Sequence, residues 1–189
     1  MMQKILIGVI ATIGSFVALI LLQPSDYRIA RTTAIAAPAQ DVSSQIDDFH
    51  RWQAWSPWAE RDPKAKVSFE GPASGKGAVF IWSGNNEVGE GRMTLIESQP
   101  GALVRIRTDF VKPFVGTSYS DFTLKPEGEG TSLTWSMSGQ NDFIGKAICL
   151  FVSMDKVLGG EMEKGLAGIK RIAEASTKKP AQNLSTPAK

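Results

Sequence analysis

Eighteen consecutive uncharged residues, Ile5 to Leu22 (ILIGVIATIGSFVALILL), follow a single lysine, Lys4, at the start of this 189-residue chain. As an α-helix the run rises about 27 Å at roughly 1.5 Å per residue, close to the ~30 Å hydrocarbon core of a bilayer. A water-facing helix carries a polar side. This one offers only Thr12 and Ser15, whose hydroxyls can bond back to the helix's own carbonyls. Residues 5–22 are therefore read as a membrane span within an N-terminal anchor, residues 1–24. The rival is a cleaved secretory signal, whose apolar region is about 7–15 residues and ends at small residues of the Ala-x-Ala kind. Here the run ends Leu21-Leu22-Gln23-Pro24-Ser25-Asp26, and the nearest Ala-rich patch, Ala34 to Ala37, lies well downstream. Length and flanks favour a single-pass anchor. Lys4 before the span and Arg28, Arg31 and Asp26 after it leave the flanking charges nearly balanced. A short basic N-tail most simply stays in the cytoplasm, which puts the remainder outside it, in the periplasm of a bacterium.

Residues 25–176 have the size of one domain. The tail, residues 177–189 (TKKPAQNLSTPAK), is polar and is read as disordered. With 21 basic and 19 acidic residues, the chain lacks the concentrated basic face that nucleic acid requires. The lone Cys149 forms no internal disulfide, and its neighbours Ile148, Leu150 and Phe151 predict a buried, inert thiol. One histidine and one cysteine without ligand spacing imply no metal site and no cofactor. Gly71-Pro-Ala-Ser-Gly75-Lys76-Gly77 has three residues between its first two glycines and a glycine where a phosphate loop needs Ser or Thr; it is read as a hairpin turn.

The middle of the domain alternates with period two. Leu133, Trp135 and Met137 alternate with polar partners, as do Val104, Ile106, Thr108 and Phe110 with Arg105, Arg107 and Asp109. Further strands fall at Tyr27 to Ile35, Val67 to Phe69, Ala78 to Trp82, Arg92 to Glu97 and Tyr119 to Leu124, separated by Gly- and Pro-rich turns about ten residues apart. That spacing predicts an antiparallel meander. Ala39 to Phe49 is helical in pattern, as is a long last segment, Phe143 to Ala175, where Leu158, Met162, Leu166, Ile169 and Ile172 share a face. Glycines 159, 160, 165 and 168 fall inside it, each costing about 1 kcal/mol relative to alanine. They imply either a close approach of the helix backbone to something, a kink at Gly159-Gly160, or a break there between two helices.

The order is strand, short helices, six antiparallel strands and a C-terminal helix. Within it lie Trp52-x-x-Trp55-Ser56-Pro57-Trp58 with Asp62-Pro63, Gly89-x-Gly91-x-Met93, Gly130-Thr131-x-Leu133-x-Trp135, and Gly159 through Glu163, Gly165-Leu166 and Lys170. Together they resemble the polyketide cyclase/dehydrase-like family of the SRPBCC superfamily (START and birch-pollen-allergen-like proteins) over residues 27–174. The resemblance implies an α+β helix-grip fold: a curved antiparallel sheet of about seven strands wrapped on a long C-terminal helix, here with the N-terminal transmembrane helix added. It also implies an apolar cavity between sheet and helix that takes a hydrophobic small molecule or lipid. Fold does not fix chemistry.

Trp55, Trp58, Trp82, Arg92, Tyr119, Trp135 and Met137 are the pocket candidates. The tryptophans combine a large apolar ring with one donor; Arg92 would pair with a ligand carboxylate or phosphate. Core packing is the competing role for each aromatic, and alternation points Arg105 and Arg107 to solvent. No catalytic residue is assigned. The favoured function is a membrane-tethered binding or transfer module for a hydrophobic molecule or lipid. A protein-interaction module of envelope-stress or chaperone type is the second reading. The third is a cyclase or dehydratase using Asp109, Asp121, Tyr119 or His50, which requires two of these to converge on one pocket.

Overall fold

In the computed structural model, which describes residues 2–177, helix α1 (Met2–Leu21) precedes strand β1 (Asp26–Ile35). Three short elements follow: α2 (Ala39–Ser43), a 3-10 helix (Phe49–Ala54) and α3 (Pro57–Arg61). Then come β2 (Lys66–Glu70), β3 (Val79–Ser83), β4 (Glu90–Gln99), β5 (Leu103–Lys112), β6 (Gly116–Glu127) and β7 (Gly130–Gln140), and finally α4 (Phe143–Cys149) and α5 (Met154–Thr177). The seven strands form one antiparallel sheet in the order β1-β7-β6-β5-β4-β3-β2. This is the expected α+β helix-grip arrangement. Thr177, placed in the tail by composition, ends α5; the rest of the predicted tail lies outside the described residues.

Period-two alternation sorts the sheet into two faces. Val104, Ile106, Phe122, Leu124, Leu133 and Trp135 point inward and are buried. The outer face is a polar ladder: Arg105 binds Asp121 at 2.7 Å and Glu97 at 3.1 Å, and Arg107 binds Asp109 at 2.9 Å. Helix α5 lies along β1. Arg31 reaches Asp155 and Glu163, the Lys170 ammonium donates to the Ala34 carbonyl, and Glu174 accepts from the Ala36 amide. The 3-10 helix covers β2 and β3, with Phe49 against Phe80 and His50 stacked on Phe69 at 4.0 Å.

The expected helix Ala39 to Phe49 ends early, at Ser43. Two tryptophans take over where it stops: the Trp55 and Trp52 indoles donate to the Gln45 and Ile46 carbonyls, each at 2.9 Å. These carbonyls would otherwise be buried without partners. The long last segment is broken, but at residues 150–153 rather than at Gly159-Gly160, through which α5 runs continuously. Its glycines mark close approach. A Cβ at Gly159 would strike the Arg31 guanidinium; one at Gly165 would stand 2.8 Å from the Trp135 ring, and one at Gly168 3.0 Å from Trp55. Gly160 faces open space. The Gly71 to Gly77 segment is a turn between β2 and β3, and its amides are occupied: Gly75 donates to Asp47 and Gly77 to Leu95.

Helix α1 is apolar and exposed over nearly its whole length, with Ile20 its one buried residue. Among the described residues it is the one helix long and apolar enough to cross a bilayer, by criteria that a signal sequence also meets. It packs against α4, and its Phe16 ring lies 6.4 Å from that of Phe151 in the break just after α4. Cys149, expected buried, is half-buried, because α4 has no buried residue at all.

Candidate functional site at the open end of the inner face

The inner face changes character along the strands. At the end where β1 finishes and β7 starts, it is packed solid. Trp135 stacks on Phe122 at 4.7 Å, Trp55 meets Trp135 edge-on at 6.1 Å, and Met162, Leu166 and Ile169 of α5 close over them, all buried. Toward the α1 end the inward positions shrink and turn polar. The register sets Gly139, Ser118, Thr108 and Met93 side by side across β7, β6, β5 and β4, with Tyr27 of β1 beside Gly139. One step deeper, Ser120 pairs across from Met137.

Around this hydroxyl floor stands a half-buried rim of rings and thioethers. Tyr27, Trp58, Phe80, Met93 and Met154 all pack against the core while keeping exposed surface. The Trp82 ring lies over Gly91, where a Cβ would collide with it. That ring stacks on Phe80 and meets Phe110 edge-on at 5.9 Å, and its indole donates to the Val88 carbonyl. The glycine of the Gly89-x-Gly91-x-Met93 pattern thus makes room for a tryptophan of the neighbouring strand.

Two buried polar atoms of the inner face lack a hydrogen-bond partner: the Ser118 hydroxyl at this end and the Trp135 indole nitrogen in the packed half. Buried polar groups are nearly always paired, and an orphan costs about 1–3 kcal/mol. Burial pushes the Tyr27 hydroxyl above the usual tyrosine range, with the nearby Ser118 hydroxyl acting in the opposite sense.

Of the sequence-predicted pocket residues, Trp58, Trp82, Trp135 and Met137 lie on or face this inner surface. Of these, Trp135 lies within the packed half, 1% exposed, and Trp55 faces the same half, 5% exposed. Arg92 and Tyr119 stand on the outer face. Arg92 pairs with Glu70 at 2.9 Å, and Tyr119 is exposed and lies between Ser118 and Ser120 on the opposite side of the strand. Sequence reasoning passed over Ser118, Ser120, Thr108 and Tyr27. The signal was present: Ser118 and Ser120 are in phase with Phe122 and Leu124, so the serines, not the more conspicuous tyrosine between them, face inward.

The acid–base candidates do not meet. Asp109 and Asp121 are held by arginines on the outer face. His50 sits beyond the inner face's far strands, its Nδ1 2.9 Å from Asp48. Among the described residues no group of three His, Cys, Asp or Glu is placed to hold a metal. A second recess is a shallow groove of about 660 Å³ at the other end, lined by Ala34 to Pro38, Glu127, Lys170 and Glu174. It lies between sheet edge and α5, and its lysine and glutamate are already engaged.

A single antiparallel sheet whose inner face is closed by one long helix defines the class. The chain matches the family model for polyketide cyclase/dehydrase and lipid transport over residues 27–174, and it belongs to that family. No curated protein matches it by sequence. Solved structures of similar fold include protein CV1439 from Chromobacterium violaceum, 16% identical, with a TM-score of 0.56 over 80% of this chain and 98% of that one. The Aha1 dimer from Colwellia psychrerythraea is 14% identical, with a TM-score of 0.57 over 78% of this chain and 96% of that one. StfQ, the di-domain ARO/CYC protein from the steffimycin biosynthetic pathway, is 13% identical with a TM-score of 0.59; 81% of this chain matches 52% of that one. At these identities the likeness is one of fold.

Proposed function

We propose that this protein is a membrane-tethered binding or transfer module for a lipid or other apolar small molecule that carries a polar group. The carrying observation is the orphaned Ser118 Oγ on a hydroxyl-bearing floor rimmed by aromatic rings and thioethers. A ligand with an apolar body and one hydroxyl or carbonyl supplies what the Ser118 hydroxyl lacks, while Trp58, Trp82 and Met137 contact its body. Family membership supports the same ligand class. Binding rather than catalysis fits a site where no two acid–base groups converge. The run 5–22 supplies the tether, and the three residues Gln23, Pro24 and Ser25 between it and Asp26 are too few for a long-reaching linker.

Native mass spectrometry of the full chain released from mild detergent is expected to show a co-purified lipid-sized adduct. Ser118→Leu, which fills the floor with four carbons and removes the hydroxyl, is expected to abolish the adduct while leaving a cooperative thermal transition. A wild-type chain that carries no adduct and takes up no fluorescent lipid contradicts this reading.

A further inference from the structure

Beyond α1, most of the large exposed apolar residues gather at one end of the domain, with Val67 and Phe69 on edge strand β2 and Tyr119 on the outer face lying apart. Phe143, Ile144 and Ile148 of α4, followed by Phe151 and Val152, recur at i, i+4 and i+8 and make one stripe. The β5–β6 hairpin adds Val111, Phe114 and Val115. Continuing the β6–β7 register from Ser118–Gly139 brings the tip of that hairpin beside Asn141 and Asp142, where α4 begins. Asn141 in turn donates from its amide to the Ser25 carbonyl, just after α1. Three apolar elements thus converge around the exit of α1.

We propose that α4 and the β5–β6 hairpin are inserted into the interfacial layer of the bilayer that α1 crosses, making a second, non-spanning membrane contact. This rests on reading α1 as an uncleaved anchor. The depth follows from one contact. Phe16 lies five residues before Leu21, the end of α1, so its Cα is about 8 Å below that end at roughly 1.5 Å per residue. Helical side chains lean toward the N-terminus, which carries its ring deeper still. Phe151 meets that ring at 6.4 Å yet is 78% exposed. An apolar stripe held at that level lies where interfacial helices bury their apolar faces, roughly 5–10 Å into the headgroup and acyl boundary.

Charge agrees with the placement. Of the nearby carboxylates, Asp142 accepts from the Gly145 amide, Asp155 holds Arg31 and Glu90 holds Lys112, while Asp26 is exposed and makes no ion pair among the described residues. Lys146 and Lys156 make no ion pair among the described residues, which leaves two cations for lipid phosphates. The stripe is continuous with the lipid-facing surface of α1, so lipid is its occupant; a protein partner would have to reach the same depth. The open end of the inner face, with Trp82 and Phe110, is at this end too, so an apolar ligand passes between bilayer and site without crossing bulk water.

The test uses the full chain in vesicles of phosphatidylethanolamine and phosphatidylglycerol. In a Cys149→Ser background, single cysteines replace Ile10 (Ile10→Cys), Val115 (Val115→Cys), Phe151 (Phe151→Cys) and, at the opposite end, Glu129 (Glu129→Cys), and each is labelled with an environment-sensitive fluorophore. Val115 and Phe151 are 82% and 78% exposed, so the labels fit without repacking; thermal transitions matching the parent's verify this. Spin-labelled lipid is expected to quench the probes at 10, 115 and 151 and to leave 129 bright. Quenching at 10 with bright probes at 115 and 151 overturns the interfacial contact while the anchor stands. Four bright probes overturn both. Excimer emission from pyrene at 151, together with lack of quenching there, assigns the stripe to a second copy of the chain and also overturns the proposal.

Discussion

At the scale of single residues, glycines and tryptophans do the shaping. Gly165 lets α5 approach until a Cβ would stand 2.8 Å from the Trp135 ring, whereas Gly160, five residues earlier on the same helix, faces nothing within 4 Å. The two positions make opposite predictions for the same substitution. Gly165→Ala forces the buried indole to move and is expected to cost about 1–3 kcal/mol as overpacking. Gly160→Ala removes a poor helix former from open space and is expected to gain about 0.5–1 kcal/mol. Chemical denaturation of both variants measures the difference, and equal effects would show that the α5–sheet contact is looser than described. Trp52 and Trp55 act as caps as much as core: each ring is buried and its one donor closes a carbonyl left open where α2 stops.

At the scale of elements, the domain is locked by α5 against its neighbours on both sides. On one flank Arg31 of β1 holds Asp155 and Glu163. On the other, Glu161, 8% exposed, takes Arg61 of α3 at 2.8 Å and Lys164 at 3.0 Å. Burial pushes the Glu161 carboxyl up, but the hydrogen bonds and charges of Lys164 and Arg61 outweigh it and hold it below the usual glutamate range. The sign follows from linkage. A carboxyl depressed in the folded state adds stability above its unfolded value, about 4.3, and that stability is lost as pH falls toward the folded value. Glu161→Gln is expected to lower stability by about 1–2 kcal/mol at pH 7, the low end for a charged hydrogen bond because both cations are partly solvated. The deficit should shrink below about pH 4, since the wild type then loses the same interaction. Melting temperatures of the two proteins from pH 7 to pH 3 test this; parallel curves would remove Glu161 from the acid response.

At the scale of the whole molecule, polarity is arranged along one axis. At the end with Ile35 and Thr131 the inner face is packed, and the recess there is a shallow groove at the sheet edge beside α5. The end with α1, α4 and the β5–β6 hairpin carries both the exposed apolar surface and the partly open inner face. The proposed function puts site and tether on the same side. On that reading the chain made in its native cell is expected to remain in the membrane pellet after alkaline carbonate extraction, with an intact mass that includes residues 5–22. A soluble product beginning after residue 22 would make α1 a signal sequence and the protein an extracytoplasmic binder.

The amino-acid order alone determined the apolar run, the alternating strands, the meander and the amphipathic last helix. Each is a local pattern of period 3.6 or 2 and needs no long-range information. It also determined which strand residues share a face, so that Ser118 and Ser120 were readable and Arg92 and Tyr119 were separable from them by phase. The tertiary structure alone decided which end of that shared face is filled. Trp52 and Trp55 come from the short helices and Leu166 from α5, and their volumes close one half over Trp135 and Phe122. Side-chain volumes contributed by segments distant in sequence meet only in the packed state, and no periodicity encodes their sum. The same holds for the contact between Phe16 and Phe151, 135 positions apart, which brings the apolar run and the stripe of α4 together. The pattern of a segment states that a face is apolar; only the fold states what that face meets.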